Sequence, residues 1–380
     1  MTVDLMSSTL VTPTQEKALL RLLSALLDQE KATVIVPAQE ASYGFWFGGG
    51  NLIETADGTI WLCGRYRNFG DSRTGLGAGQ RGLECAIFRS DDKGKTFQKS
   101  IAFTKVDLSY SGREVVSIEG TALHLLPDGG VELFISTEKK MDYPQGLDEY
   151  QKPGTGVWTI DRMSGTSVEN LSVTTLEPVL ENLTKPEYLH VKDPVVYDGV
   201  DGHTGILFCT HPFTWASSNT GLVTRDVGAT QFSNVNWEIA GRGAAWDVAA
   251  TRITERMAIP KLGVFAEEFD RFVYFYDGAE CLRRLDENSN ANKRPRGYSC
   301  EELGGAFVGT GDPTNTLTRL SLNAPLFVSP YGTGSSRYVS ILVMKDGILA
   351  TWQQSQPDES QPLVGHYLPM SDVEHLLQDK

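Results

Sequence analysis

The chain has 380 residues, of which 40% are hydrophobic, and this is enough for a large core in one or two domains. Its formal net charge is −14 at pH 7. An acidic surface repels phosphate backbones, so we expect no nucleic-acid partner. No apolar run reaches the roughly 18 residues of a membrane span, and the first residues show no secretory leader, so we expect a cytoplasmic protein without a membrane partner.

The five cysteines are an odd number and are widely scattered. Three of them, Cys63, Cys85 and Cys209, lie in apolar stretches that look like strands. This pattern predicts reduced, buried thiols in the cytoplasm instead of a disulfide framework or a zinc site. The chain has no phosphate-binding loop, dinucleotide fingerprint or metal-binding motif, so we predict neither a cofactor nor a metal.

The first predicted element is an amphipathic helix within residues 12–30. Thr12 and Gln15 have the spacing of a capping box, and leucines recur on one face of the segment. Ser371 and Glu374 repeat the capping pattern near the end of the chain. We therefore predict a short helix at each end.

Between these helices the chain repeats a unit of strand, tight turn and strand. The copies are roughly 55 to 75 residues apart, the length of one four-stranded propeller blade with long loops. They lie at residues 51–65, 119–137, 193–211, 247–278 and 324–354. Five units predict an all-β, five-bladed β-propeller. A six-bladed ring is the alternative, and residues 279–323 would have to form its sixth blade.

Such a ring must be closed by a strand from its other end. Residues 33–36 or residues 44–47 are the candidates for this outer strand. No blade buries both of its faces alone, so the blades should form one domain. We therefore predict a helical extension over residues 1–32 and a propeller domain over residues 33–380.

Residues 90–97, SDDKGKTF, have the chemistry of a tight hairpin turn. Asp92 can accept hydrogen bonds from backbone amides, Gly94 permits a positive φ, and Phe97 can pack beneath the turn. The pattern S-x-D-x-G-x-T-F resembles the Asp-box of β-propellers, above all those of sialidases, in which it is a structural staple. An ordinary polar hairpin is the alternative.

Acidic residues begin three of the five repeats: Glu119, Asp193 and Asp247. The first strand of a blade starts near the propeller axis, so these side chains should converge and form our candidate catalytic set. Like charges held close together split their pKa values, which provides the acid and the base of a glycosidase. We expect Glu119 to be partly protonated near neutral pH. Capping a strand or fixing a loop is the alternative role for each acid.

The stretches IEGTALHLLPDGGVELFIS and KDPVVYDG resemble strand starts of five-bladed glycoside hydrolases of the arabinanase and β-xylosidase type. In that group a Glu before Gly is the general acid, an Asp before Pro orients the site, and an Asp of the first blade is the base. The resemblance implies that Glu119 is the acid and Asp193 the orienting carboxylate. The chain departs from the pattern because Asn51 stands at the position of the base and because Glu119 precedes Asp193. Asp247 is the candidate for the missing carboxylate.

The first blade also resembles that of sialidases in layout, with a strand, a DGT turn, an arginine-bearing strand and then residues 90–97. Sialidases need an arginine just before this first strand to hold the carboxylate of sialic acid. The chain has FWFGGG there, so we do not expect sialidase activity.

Five further residues are candidates for substrate binding. Arginines at a pocket mouth suit a carboxylate or sulfate on a sugar, and aromatic rings can stack on a sugar face. The candidates are Asn51, Arg65, Arg67, His211 and Trp215. For the arginines the alternative is a local ion pair, and for His211 it is a buried structural role.

Together these patterns predict an exo-acting glycoside hydrolase with paired carboxylates in the central pocket and an anionic carbohydrate as substrate. A polysaccharide lyase that acts on a uronate-containing glycan, with Tyr or His as base, is one alternative. A non-catalytic sugar-binding propeller is the other.

Overall fold

The computed structural model describes residues 10–68, 81–151, 154–181, 186–211, 217–266, 269–280, 302–313 and 317–378. These residues form five antiparallel sheets arranged as the blades of a β-propeller, which confirms the predicted fold class. Within the described ranges, no helix has the length and hydropathy needed to cross a bilayer.

The strands are numbered along the chain. The strand of each blade that lies at the axis is called its first strand, and in blade 1 this is β3. Blade 1 contains β2 (Trp46–Gly48), β3 (Leu52–Glu54), β4 (Ile60–Arg67), β5 (Glu84–Ser90) and β6 (Gln98–Thr104). Blade 2 contains β7 (Val115–Leu125), β8 (Val131–Lys139), β9 (Val157–Gly165) and β10 (Ser172–Leu180). Blade 3 contains β11 (Val191–Asp198), β12 (Thr204–Thr210), β13 (Asn219–Arg225) and β14 (Ser233–Ala240).

Blade 4 contains β15 (Ala250–Ala258), β16 (Arg271–Ala279), β17 (Leu303–Thr310) and β18 (Thr318–Arg319). Blade 5 contains β19 (Ser336–Val343), β20 (Gly347–Gln354), β21 (Leu363–Pro369) and β1 (Thr33–Val36). The two α-helices are α1 (Pro13–Leu26) and α2 (Met370–Leu376). Single 3₁₀ turns lie at Asp148–Tyr150, Val168–Asn170, Pro186–Tyr188 and Gly263–Phe265.

The ring closes both at its axis and at its rim. Each first strand contacts the first strand of the next blade, from β3 through β7, β11, β15 and β19 and back to β3. At the rim, β1 pairs with β21, with Thr33 opposite Gly365. Residues 33–36 therefore supply the predicted closing strand, whereas Trp46–Gly48 belongs to blade 1 and pairs with β4.

The hydrophobic core lies between the blades. Five apolar clusters each join two adjacent blades, and one member pair from each is Cys63 with Leu133, Phe134 with Phe208, Leu207 with Tyr274, Phe275 with Trp352, and Phe47 with Leu349. The leucines of α1 join the cluster between blades 4 and 5. Each blade therefore needs both neighbours to bury its faces.

The two helices begin differently. Thr12 accepts a hydrogen bond from the backbone N–H of Gln15, and the Gln15 side chain accepts one from the backbone N–H of Thr12, so the predicted capping box is confirmed. The second predicted capping box is wrong. Pro369 is the N-cap of α2 and makes no side-chain cap hydrogen bond, so Ser371 lies inside the helix. The reason is that β21 runs directly into α2 and leaves no free residue for a cap.

Two predicted repeats begin later than expected. The first strand of blade 4 starts at Ala250, after Asp247, and that of blade 5 starts at Ser336, well after residue 324. Within residues 279–323, the strands β17 and β18 complete blade 4, so this segment does not form a sixth blade.

The turn at residues 90–97 joins β5 to β6 and is held by its own side chains. Asp92 accepts hydrogen bonds from the backbone N–H groups of Lys95 and Thr96 at 3.0 and 2.9 Å. The hydroxyl of Ser90 donates to Asp92 at 2.8 Å and accepts from the N–H of Gly94 at 2.9 Å. Gly94 has a φ of +78°. The predicted hairpin tied by Asp92 is therefore present in blade 1.

Candidate active site

Irregularities in three first strands aim polar side chains at the axis. The pairing register shifts between Ile118 and Thr121 in β7, between Lys192 and Val195 in β11, and between Arg337 and Ser340 in β19. A β-bulge bends a strand and redirects a side chain. The bulged segments contain Glu119, Asp193 and Tyr338. Asp193 and Tyr338 have φ values of +55° and +53°, a strained conformation for residues other than glycine.

Glu119 and Asp193 lie on neighbouring blades and come together through Gly120. The backbone N–H of Gly120 donates to Asp193 Oδ1 at 3.0 Å. A Cβ at position 120 would lie 2.6 Å from that oxygen and 2.7 Å from the Asp193 Cα, so the approach requires glycine. Ser136 locks the contact, because its hydroxyl accepts from the N–H of Asp193 and donates to the carbonyl of Gly120.

Two arginines and a tyrosine connect these carboxylates. Arg65 Nη2 lies 3.6 Å from Glu119 Oε2 and donates to the Tyr338 hydroxyl at 3.4 Å. That hydroxyl donates to Asp193 Oδ2 at 3.4 Å, and Arg252 Nη1 donates to the same oxygen at 3.1 Å. The Tyr338 ring lies 4.4 Å from the Arg252 guanidinium carbon and 5.2 Å from that of Arg65.

Arg252 extends the network to two more acids. Its Nη2 lies 2.9 Å from Asp277 Oδ2 and 2.9 Å from Glu302 Oε2. Glu302 also pairs with Arg337. Lys192 Nζ lies 3.8 Å from Asp193 Oδ2. These residues, which we call the axial cluster, are Glu119, Asp193, Asp277, Glu302, Arg65, Lys192, Arg252, Arg337 and Tyr338.

The charge state of Glu119 differs from expectation. Burial alone would raise the pKa of its carboxyl, but Lys192, Arg65 and Arg67 together with a hydrogen bond from Ser117 lower it to about 2. The expectation of a partly protonated Glu119 is therefore wrong. The neighbours that decide its charge are cations, which the sequence pattern of acidic strand starts did not reveal.

The pKa values of Asp277 and Glu302 are shifted in opposite directions. Burial and the nearby charge of Glu302 raise the pKa of Asp277 to about 7, against the opposing influence of Arg252. Glu302 is partly buried, which alone would raise its pKa, but Arg252, Arg337 and Lys192 hold that pKa well below the usual range. Near neutral pH the cluster therefore combines ionised carboxylates with one carboxyl that retains a proton for part of the time.

Asp247 belongs to a separate network. Its Oδ2 accepts from the Tyr276 hydroxyl and from Arg319 Nε, each at 2.9 Å. Arg319 lies on β18, the outer strand of blade 4. The structure thus brings Glu119 and Asp193 together but places Asp247 elsewhere, because this residue precedes β15 and does not lie on a bulge of that strand.

The predicted substrate-binding residues have varied surroundings. Asn51 bridges blades 1 and 2 through the backbone of Leu123, at 2.9 and 2.7 Å. Arg65 is part of the axial cluster, and the Arg67 guanidinium lies over the Trp46 ring. The buried ring of His211 contacts the Ser217 carbonyl. Trp215 lies outside the described residues.

A small cavity of about 30 Å³ lies beside the axial cluster. Asp193 and Tyr338 line it together with Asn51, Gly120 and Glu255. Burial raises the pKa of Glu255 to about 7. In the described part of the chain, no group of three His, Cys, Asp or Glu side chains is arranged to hold a metal ion.

The sequence contained signals for several residues of the axial cluster that it did not lead us to select. Lys192 directly precedes Asp193, and Arg252 is the first charged residue of β15. Arg337 and Tyr338 follow the true start of β19 at Ser336. We aligned the repeats by the acidic or amide residue that begins each one. An alignment by strand register would have placed Arg337 and Tyr338 at the axis.

Comparison with known proteins finds solved structures that resemble the chain in fold, at low sequence identity. No protein-family model and no curated protein sequence matches the chain. An α-L-arabinofuranosidase from Lactobacillus brevis is 11% identical over 87% of this chain and 92% of its own, with a TM-score of 0.55. The chain shares the propeller fold of this enzyme.

Two further solved structures, both of glycoside hydrolases, resemble the chain in fold. A glycosyl hydrolase from Bacteroides ovatus is 14% identical over 88% of this chain and 93% of its own, with a TM-score of 0.53. A thermostable family-43 glycoside hydrolase is 10% identical over 88% and 92%, with a TM-score of 0.55. At these identities the likeness concerns the propeller, so the chemistry must be argued from the axial cluster of this chain.

Proposed function

We propose that the protein is an exo-acting glycoside hydrolase whose active site is the axial cluster. The observation that carries the proposal is the convergence of Asp193 from blade 3 and Asp277 from blade 4 on Arg252. Glu119 from blade 2 joins this group through Arg65 and Tyr338, with its pKa lowered to about 2 while that of Asp277 is raised to about 7. Glycoside hydrolysis needs one carboxyl that is protonated and another that is ionised.

The separated pKa values define roles for these residues. Asp277 is the proton donor to the departing glycosidic oxygen. Glu119 is the ionised carboxylate that acts on the sugar or on water, and Asp193 positions the site through Gly120, Arg252 and Tyr338. Glu119 thus takes a role different from that implied by the family resemblance, because cations surround it.

The proposed substrate is an anionic carbohydrate. Four carboxylates at the axis face five cations: Arg65, Arg67, Lys192, Arg252 and Arg337. Positive charge is thus concentrated in a chain whose net charge is −14. A cytoplasmic location is also proposed, and its support is the buried free thiols of Cys63, Cys85 and Cys209.

A polysaccharide lyase is the second candidate, because the Tyr338 hydroxyl lies beside Arg65 and Asp193. A lyase would use an ionised tyrosine as base and arginine to neutralise a uronate. Burial raises the pKa of Tyr338, so its hydroxyl keeps its proton near neutral pH. This charge state favours hydrolysis over elimination.

The test is an analysis of products from arabino- and xylo-oligosaccharides and from oligogalacturonides. We expect monosaccharide release from the earliest time points, as exo action requires. Glu119→Gln should lower the rate by about 10²–10⁴-fold, the scale of losing a positioned acid–base group. The matched control is Glu169→Gln, a surface carboxylate beside Arg89, which should retain the wild-type rate.

Other products would assign another function. A new ultraviolet absorbance from an unsaturated product would show a lyase and overturn the hydrolase. Retention of oligosaccharide without turnover would show a binding protein. A Glu119→Gln rate close to that of the wild type would remove Glu119 from the catalytic set.

A further inference from the structure

The seam between blades 1 and 5 contains buried hydrogen-bond donors without acceptors. Arg337 Nη1 pairs with Glu302, but Arg337 Nε and Nη2 are buried and have no hydrogen-bond partner among the described residues. The same holds within the described ranges for Trp46 Nε1. A buried donor without an acceptor is costly, so these groups call for an acceptor that the described residues do not supply.

Two guanidiniums approach the same indole ring at this seam. The guanidinium carbons of Arg67 and Arg337 lie 4.6 and 4.5 Å from the centre of the Trp46 ring. Trp46 pairs with Arg67 across β2 and β4, and Arg337 lies on β19 of blade 5. We call Trp46, Arg67 and Arg337 the seam site.

Two arginines share the carboxylate that pairs with Arg337. Glu302, the carboxylate paired with Arg337, is shared with Arg252. Burial lowers the pKa of Arg67 to about 10. The charge of Glu119 opposes this fall, whereas the nearby charges of Arg65 and Arg337 add to it. An oxyanion at the seam would reduce the repulsion between these arginines and accept hydrogen bonds from the unused N–H groups of Arg337.

The seam site adjoins the proposed catalytic carboxylate. Arg67 is close enough to Glu119 for its charge to lower the pKa of that carboxyl. Arg65, two residues away on β4, lies 3.6 Å from Glu119. A sugar whose glycosidic bond lies at Glu119 could therefore direct a substituent toward the seam.

We propose that the seam site binds the anionic oxyacid substituent of the sugar that the axial cluster cleaves and thereby sets its preference for acidic over neutral sugars. The inference rests on the proposed function for the identity of the ligand as a sugar. Arg337 presents two unused donors in one plane, which match two oxygens of a carboxylate or a sulfate.

The test is calorimetric titration with D-galacturonate, D-galactose 6-sulfate and neutral D-galactose, with inorganic phosphate and inorganic sulfate as free ions. We expect at least one acidic sugar to bind about tenfold or more tightly than galactose, the scale of one charge-assisted contact. The tighter of the two acidic sugars identifies the substituent as a carboxylate or a sulfate.

The variants locate this preference. Arg337→Gln should bring the affinity for the acidic sugar close to that for galactose, and Arg67→Gln and Trp46→Phe should each weaken the preference. Arg89→Gln, which changes a surface arginine beside Asp91, should leave it intact. If Arg337→Gln does not fold, Arg67→Gln and Trp46→Phe decide the question.

Three results would overturn the proposal: equal affinity for acidic and neutral sugars, a preference that survives the seam variants, or free phosphate or sulfate that binds as tightly as the acidic sugars. The proposed function can fail separately. Turnover of neutral arabinosides without binding of acidic sugars would contradict the role of the seam site and leave the proposed hydrolase intact. Binding of acidic sugars without any turnover would contradict the hydrolase and leave the seam site intact.

Discussion

At the scale of single residues, the axial cluster depends on one glycine. Gly120 allows its own N–H to reach Asp193, while Ser136 fixes both backbones from the second strand of blade 2. Asp193 holds a positive φ in this arrangement. The position of the carboxylate is therefore determined by backbone contacts as much as by its ion pairs.

Replacing Gly120 with Ala should displace Asp193, because the new Cβ would overlap its Oδ1 and Cα atoms. We expect a loss of about 1–3 kcal/mol in the free energy of unfolding, as for other overpacked sites, and a loss of activity in the folded fraction. Urea denaturation and kcat/KM measure the two effects. Gly130→Ala is the control, since its nearest neighbour is the Asp128 carboxylate at 3.1 Å. Wild-type kcat/KM in Gly120→Ala would show that this approach is unimportant.

The pH dependence of catalysis should report on Asp277. Its pKa is raised to about 7, so kcat/KM should fall as the pH rises through this value and the donor loses its proton. Glu119 stays ionised down to about pH 2, so the rate should be level on the acidic side. Asp277→Asn should abolish the alkaline fall.

Glu255→Gln is the control for this profile, because burial raises the pKa of Glu255 to about 7 as well. The alkaline fall should remain in this variant. If the alkaline fall disappears in Glu255→Gln and persists in Asp277→Asn, then Glu255 causes it and Asp277 is not the proton donor.

At the scale of secondary-structure elements, the sequence predicted turns and repeats better than it predicted where each strand begins. DG turns and the segment at residues 90–97 identify hairpins because their residues satisfy local hydrogen bonds. The axis-facing position in each first strand depends on bulges, which arise from pairing with other strands. Glu119 and Asp193 were found because their acidity stands out. Arg337 and Tyr338 were missed because neither the local composition nor the spacing of acids marks the start of β19.

The turn between β5 and β6 should contribute to the stability of the fold without contributing to activity. Asp92→Ala leaves the N–H groups of Lys95 and Thr96 without their acceptor, so we expect a loss of about 1–3 kcal/mol in urea denaturation. Asp91→Ala, which removes only a surface pair with Arg89, should have little effect. Activity of the folded Asp92→Ala protein should be unchanged. A large loss of activity at unchanged stability would contradict a structural role.

Blades 2 and 3 are joined by a pH-sensitive contact. His124 lies 3.1 Å from Glu132 and 3.0 Å from Asp198. Although burial opposes protonation, hydrogen bonds to the two acids raise the pKa of His124 above its ordinary 6.5. A group whose pKa is raised by folding stabilises the fold fully below its unfolded pKa and loses this effect as the pH rises through the folded value.

We therefore expect the melting temperature to fall by roughly 2–4 °C as the pH rises from 6 to 9, and this fall should be smaller in His124→Gln. Scanning calorimetry of the two proteins measures it. His375→Gln, in the last turn of α2, is the control and should keep the wild-type dependence. An unaltered pH dependence in His124→Gln would exclude the contact as its source.

At the scale of the whole molecule, the five inter-blade cores make the ring cooperative. Deleting residues 324–380 removes β19, β20 and β21, exposing the clusters that join blade 5 to blades 4 and 1. We expect this truncated chain to be insoluble or unfolded, and the full chain to unfold in a single calorimetric transition. A soluble, protease-resistant fragment without blade 5 would contradict the closed ring.

The most direct test of the axial cluster as the site of glycoside cleavage is the hydrolysis rate of Asp193→Asn. Asparagine tolerates the positive φ at this position, so the backbone should keep its conformation while Arg252 and Lys192 each lose one negatively charged neighbour. Measured on the best oligosaccharide substrate, kcat/KM of the folded protein should fall by about 10²–10⁴-fold. Near-wild-type kcat/KM in a folded Asp193→Asn protein would show that cleavage occurs elsewhere.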